Sequence, residues 1–179
     1  MRHGLTDWNV KHKLQGRKDV PLNDDGRNMA KDAAKKCRDI DFDICFCSPL
    51  VRAKETAEIV LDGRNIKIIS NDRLMEMSFG IYEGIEDPLK IPDCPINVLF
   101  NSPEKYIISA EGAESLSSLY SRTKEFLEEV VKPRLKIGKN ILIVGHVATI
   151  CSIVYQMKSL PIEEFWCMKP ANCKLIKVL

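Results

Sequence analysis

Arg2, His3 and Gly4 stand side by side near the start of the chain, followed by Thr6 and Asn9. An imidazole can attack an electrophile while a neighbouring guanidinium holds an anion with its planar fork of N–H groups. Glycine lets a backbone N–H approach the same anion with no Cβ in the way. Three residues carry little alone, but three distant segments supply complementary groups. Ser48-Pro49-Leu50-Val51-Arg52-Ala53 brings a second arginine. Leu74-Met75-Glu76, ahead of Phe79-Gly80-Ile81-Tyr82-Glu83-Gly84, brings a carboxyl group able to give and take a proton. Val144-Gly145-His146 brings a second imidazole that can donate to developing negative charge. Each has a plainer explanation when taken singly. His3 could be a surface histidine, Arg52 an exposed ion-pair partner and His146 a histidine satisfied at the core edge. Glu76 could be a solvated loop carboxylate, and Asn9 a turn residue.

The elements that must position these groups follow from periodicity. Residues 5–25 read as loop, interrupted by Gly16, Pro21 and Asn23-Asp24-Asp25-Gly26. Met29, Ala30, Ala33, Ala34 and Cys37 fall at helical spacing within 27–40. Residues 43–47 form an apolar run ending at Ser-Pro, the end of a buried strand. The helical pattern resumes over 50–61, and 66–69 read as a strand. From 70 to 113 there is little periodicity. A long amphipathic helix is expected over 115–131, closed by Pro133. A fully apolar strand follows at 141–144, a helix over 148–158, a short helix opened by Pro161 and a final strand near 174–179. Short buried strands alternating with helices indicate an α/β domain with a largely parallel sheet. Arg52 and His146 both fall just after strand ends, on the rim where such sheets hold ligands.

Composition bounds the rest. The chain has 179 residues, enough for one domain with a sizeable core. With 27 basic against 25 acidic residues, the balance gives no reason to expect a nucleic-acid or membrane partner. The seven cysteines are odd in number and have no metal-type pairing, so a reducing cytoplasm is expected rather than a disulfide framework. Neither the histidines nor the cysteines have ligand spacing, and no nucleotide-binding glycine fingerprint is present. No metal or cofactor is therefore expected.

In these motifs the chain resembles the histidine phosphatase superfamily, in its phosphoglycerate mutase-like branch. Arg2, His3, Gly4, Thr6 and Asn9 match the opening motif, and Ser48, Pro49, Arg52 and Ala53 match the second-arginine stretch. Glu76 with Phe79, Gly80, Tyr82, Glu83 and Gly84 matches the acid region, and His146 the second histidine. The resemblance implies a three-layer α/β/α domain spanning 1–179, with 84–113 as a pocket-covering insertion. It implies hydrolysis of a small phosphorylated metabolite through phosphohistidine on His3. Glu76 and His146 would also be catalytic, and Arg2, Asn9 and Arg52 would bind phosphate. The alternatives are a cofactor-dependent phosphoglycerate mutase and a non-catalytic module that binds a phosphorylated ligand. Three positions depart from the pattern. Gly145 stands where Ser or Thr is usual, Val147 where a small residue is usual, and Leu5 where a polar one is common. The family also carries an apolar strand ahead of Arg-His-Gly, whereas this chain starts at the motif. The expectation is a sheet whose first strand is missing or truncated, with greater stability and activity for a form extended upstream of Met1.

Overall fold

The computed structural model of the protein describes residues 1–108 and 110–178. In chain order, helices α1 (Asp7–Val10) and α2 (Asp24–Lys36) precede strand β1 (Ile44–Cys47), helix α3 (Val51–Val60) and strand β2 (Lys67–Ser70). A short helix α4 (Asn97–Asn101) and several 3-10 turns occupy the next stretch. Then come α5 (Leu116–Phe126), a π-helical turn (Leu127–Val131), α6 (Lys132–Lys136), strand β3 (Ile141–Val144) and α7 (Val147–Lys158).

The three strands are parallel in the order β2-β1-β3, with Ile44 opposite Ile141 and Cys47 opposite Val144. Side chains alternate across each strand, and this divides the core. Cys45, Cys47, Leu142 and Val144 pack with Ala30 and Ala33 of α2 and Ala53, Ala57 and Val60 of α3. Ile44, Phe46, Ile141 and Ile143 join the opposite cluster, with Phe126, Leu127, Val131 and Ile153. Helices therefore cover both faces of a parallel sheet, the α/β architecture expected from the sequence.

Met1–His3 continues this sheet as a three-residue stub beside β3. The Met1 amine donates to the Ile143 carbonyl at 2.6 Å, Gly145 N–H to Met1 O and His3 N–H to Gly145 O. On its other side Cys173 N–H donates to Arg2 O. Behind the stub an apolar groove of about 410 Å³ runs between Ile141, Ile143, Ile150 and Leu175.

Four expectations need correction. The 5–25 loop contains α1, opened by a capping box in which Thr6 and Asn9 exchange hydrogen bonds. The Asn23-Asp24-Asp25-Gly26 cluster starts α2 rather than preceding it. Asn23 Oδ1 accepts from Gly26 N–H at 2.8 Å, and Asp24 and Asp25 sit at the positive end of the helix dipole. Pro133 does not close the long helix. The π turn before it loosens the backbone, and Pro133 falls in the first turn of α6, where a missing N–H costs little. No strand forms over 174–178, and Leu179 lies outside the described residues. The chain turns at Cys173, whose φ is 54°, and residues 175–178 line the groove without pairing with a strand among the described residues.

The stretch 84–113, apart from Ser109, which lies outside the described residues, joins a buried cluster shared with α5, α7 and Phe165. Ile96, Leu99 and Cys94 are buried against Met77, Leu119 and Phe165. All seven cysteines are free: five are buried, Cys173 is half-buried and Cys167 is exposed. Among the described residues, no helix is long and apolar enough to cross a membrane.

Candidate active site

The carboxyl ends of the stub, β1 and β3 place His3, the loop leading to Arg52, and His146 on one rim. His3 is buried, and its Nδ1 lies 2.7 Å from the carbonyl oxygen of Gly4. A carbonyl only accepts, so the facing ring nitrogen carries the proton and Nε2 keeps its lone pair. Burial, then Arg52 and Arg2, hold this imidazole well below its ordinary pKa of 6.5. It is therefore neutral at physiological pH.

His146 is fully buried, with its ring centroid 5.1 Å from that of His3. Burial and the charge of Arg52 lower its pKa well below 6.5 as well. Neither of its nitrogens has a hydrogen-bond partner among the described residues, so it is not a satisfied core histidine.

Arg52 is 1% exposed; its Nη1 and Nη2 donate to Lys18 O and Gly16 O, each at 2.8 Å. Burial pushes its pKa down to about 10, which still leaves it charged at neutral pH. Arg2 donates to Pro170 O at 3.3 Å. The Nε atoms of both arginines are buried without a partner among the described residues. Asn9 commits Oδ1 to Thr6, which leaves its amide NH₂ as the group available to the cavity it lines.

Glu76 is buried at the N-terminus of α7. Its carboxylate accepts from Ala148 N–H and Thr149 N–H at 3.3 Å and from Met77 N–H at 2.9 Å. The first N–H groups of a helix lack partners within it, and His146, at the N-cap, supplies no side-chain bond. A carboxylate from a distant loop therefore caps the helix that carries His146.

Arg2, His3, Asn9, Arg52 and Glu76 line one cavity of about 150 Å³. His146 lies behind it, against His3. The model of the histidine phosphatase superfamily, branch 1, matches residues 1–179. The chain belongs to this superfamily. It is 31% identical over 166 residues to a 2,3-bisphosphoglycerate-dependent phosphoglycerate mutase of Cytophaga hutchinsonii, covering 92% of this chain and 78% of that one. It is 28% identical over 166 residues to phosphoserine phosphatase 1 of Hydrogenobacter thermophilus, covering 93% and 78%. The solved structure of Bacillus stearothermophilus YhfR superposes with a TM-score of 0.83 at 29% identity, over 96% of this chain and 83% of that one.

Within this superfamily frame, the two departures that flank His146 have visible consequences. Val147 lines the cavity. Gly145 leaves room for a side chain, since a Cβ there would sit 3.7 Å from Leu74 O. Glu83 accepts from the N–H groups of Arg17 and Phe79 and so ties the 16–18 loop to the acid region.

Of the outer wall, the sequence did not single out Trp166 or Lys169. Phe79, Phe100 and Trp166 line the cavity together with Lys13 and Lys169. The Trp166 indole N–H is spent on Leu99 O at 2.8 Å, so it is not a donor for a ligand. Aromatic residues at core spacing carry no signal that separates a cavity wall from a core. Among the described residues, no group of three or more His, Cys, Asp or Glu could hold a metal.

Proposed function

We propose that the protein hydrolyses small phosphomonoesters through a phosphohistidine formed on His3 Nε2, with 1–179 acting as one catalytic domain. One observation carries the reading. Four buried nitrogens without partners among the described residues belong to Arg2, Arg52 and His146, all gathered around the His3 ring. A buried polar group left unpaired costs about 1–3 kcal/mol, and a phosphoryl group offers the acceptor oxygens that the two Nε–H groups and the single N–H of neutral His146 lack.

His3 Nε2 attacks phosphorus while the P–O ester bond breaks. Glu76, protonated, gives its proton to the departing oxygen. The Gly4 carbonyl holds Nδ1–H as positive charge grows on the ring. Arg2, Arg52, His146 and the Asn9 amide hold the equatorial oxygens. Glu76, now a carboxylate, takes a proton from the water that attacks phosphohistidine, releasing phosphate and restoring Nε2 and the protonated acid. The cavity volume is about half the lower bound of roughly 300 Å³ usual for small-molecule pockets, which favours a small metabolite. Residues 84–113 cover the pocket through Phe100.

Phosphoglycerate mutase is the second reading, favoured by the Cytophaga hutchinsonii relative. Against it, Phe79 to Gly84 stands where such mutases carry a Tyr-Gly-Gly-Leu-type stretch. The test is hydrolysis of p-nitrophenyl phosphate, alongside interconversion of the two phosphoglycerates with bisphosphoglycerate added. Single-turnover labelling should give an acid-labile, alkali-stable phosphoryl-protein that His3→Ala abolishes without unfolding. Label retained by His3→Ala removes the nucleophile assignment. Loss of both activities with ligand binding intact leaves a binding module.

A further inference from the structure

Asn172 is 169 residues from His3 in sequence, yet its side-chain Nδ2 donates to His3 O at 2.8 Å and to Gly4 O at 3.1 Å. In a strand, alternate residues face opposite ways and successive carbonyls diverge. Here two consecutive carbonyls converge on one amide, so the chain leaves the strand at His3. The Gly4 carbonyl also faces His3 Nδ1. Neighbouring backbone is fixed by His3 N–H on Gly145 O, Cys173 N–H on Arg2 O and Gly4 N–H on Thr56 Oγ1. Asn172 supplies the remaining constraint, the direction of the Gly4 carbonyl.

We propose that Asn172 is the positioning residue of His3, holding the Gly4 carbonyl against Nδ1 so that the proton stays there and Nε2 faces the cavity unprotonated. The Gly4 carbonyl is the one hydrogen-bond partner of this ring among the described residues. An imidazole facing no fixed acceptor distributes its proton between both nitrogens, and the fraction protonated on Nε2 cannot attack phosphorus. Asn172 does not line the catalytic cavity. It lines a separate groove of about 510 Å³ between α2 and residues 173–175. Its influence on turnover therefore passes through His3 rather than through contact with substrate.

The inference rests on the reading of His3 as nucleophile, and its test separates the two. Histidine-¹⁵N-labelled protein reports the tautomer of His3 by NMR in the absence of turnover. Wild type should show Nδ1–H alone. Asn172→Leu should show a mixture of tautomers. Its kcat for p-nitrophenyl phosphate should fall by about 10–10²-fold, the scale of losing a group that orients a functional histidine, with KM nearly unchanged. Asn172→Gln keeps a donor and should recover part of both signals. If the leucine variant does not fold, Asn172→Asp, of the same shape without the NH₂, takes its place. An unchanged tautomer overturns the proposal, whether kcat is retained or falls. A changed tautomer in a protein that never forms phosphohistidine upholds the positioning role and removes the nucleophile.

Discussion

Thr149 holds Glu76 from two sides. Its hydroxyl donates to the carbonyl of Met75 at 2.6 Å, and its backbone N–H donates to the Glu76 carboxylate at 3.3 Å. The acid is thereby fixed to the first turn of α7. Glu76→Gln should slow turnover by about 10²–10⁴-fold, the range for a lost general acid or base. The loss should be greater for alkyl than for aryl phosphates, because poor leaving groups need the proton most. Equal slowing of both classes would leave Glu76 a merely positional role. Thr149→Val removes one of two donors to the Met75 carbonyl, which keeps Arg122 Nη1 at 2.8 Å, and should cost about 0.5–1.5 kcal/mol in urea unfolding.

The pH dependence of stability in the acid range follows from two buried histidines. A base whose folded pKa lies below its unfolded value is protonated more readily in the unfolded chain. Stability then rises with pH across the interval between the two values. For His3 and His146 this interval extends downward from 6.5. The contribution of these two groups to stability should therefore be complete above about pH 6.5. It should fall as pH falls, by up to about 1.4 kcal/mol per pH unit for each proton taken up. Urea titrations from about pH 5 to 8.5 read this directly. His146→Leu should make the curve shallower.

Two glycines near the site should respond in opposite ways. A Cβ on Gly4 would come within 2.6 Å of the Gly26 carbonyl oxygen, backbone against backbone, so Gly4→Ala should destabilise by about 1–3 kcal/mol. At Gly145 the nearest atoms would be 3.7 and 3.9 Å away, an ordinary contact. Gly145→Ser should raise stability by about 0.4–1 kcal/mol by restricting the unfolded chain. Melting temperatures of the two variants test the pair.

The sequence makes strands 44–47 and 141–144 legible because both are buried on two faces and read as unbroken apolar runs. It also points to Arg2, His3 and Arg52 at the cavity and to His146 behind it, since Arg-His-Gly, Ser-Pro-x-x-Arg and the strand-ending histidine are local patterns. Two features were out of its reach because they are tertiary. Nothing near Glu76 in the chain shows that it caps α7, because its partners lie 72 and 73 residues away. Asn172 sits in a tail with no periodicity, and its role arises from a backbone turn at His3. The strand expected over 174–179 shows the opposite failure. Its apolar residues have strand character, but a strand also needs a neighbour to pair with.

The thiol inventory turns this protein into its own reporter. Alkylating reagents react with thiolates, and burial raises Cys45 and Cys151 to about 12 and half-buried Cys173 to about 11. Cys37, Cys47 and Cys94 are shielded by the core. That leaves Cys167, exposed and directly after Trp166, whose ring walls the cavity. One equivalent of a maleimide dye on the native protein should therefore label a single position at the pocket rim. Its emission would follow phosphate or vanadate entering the cavity, with no engineered cysteine required.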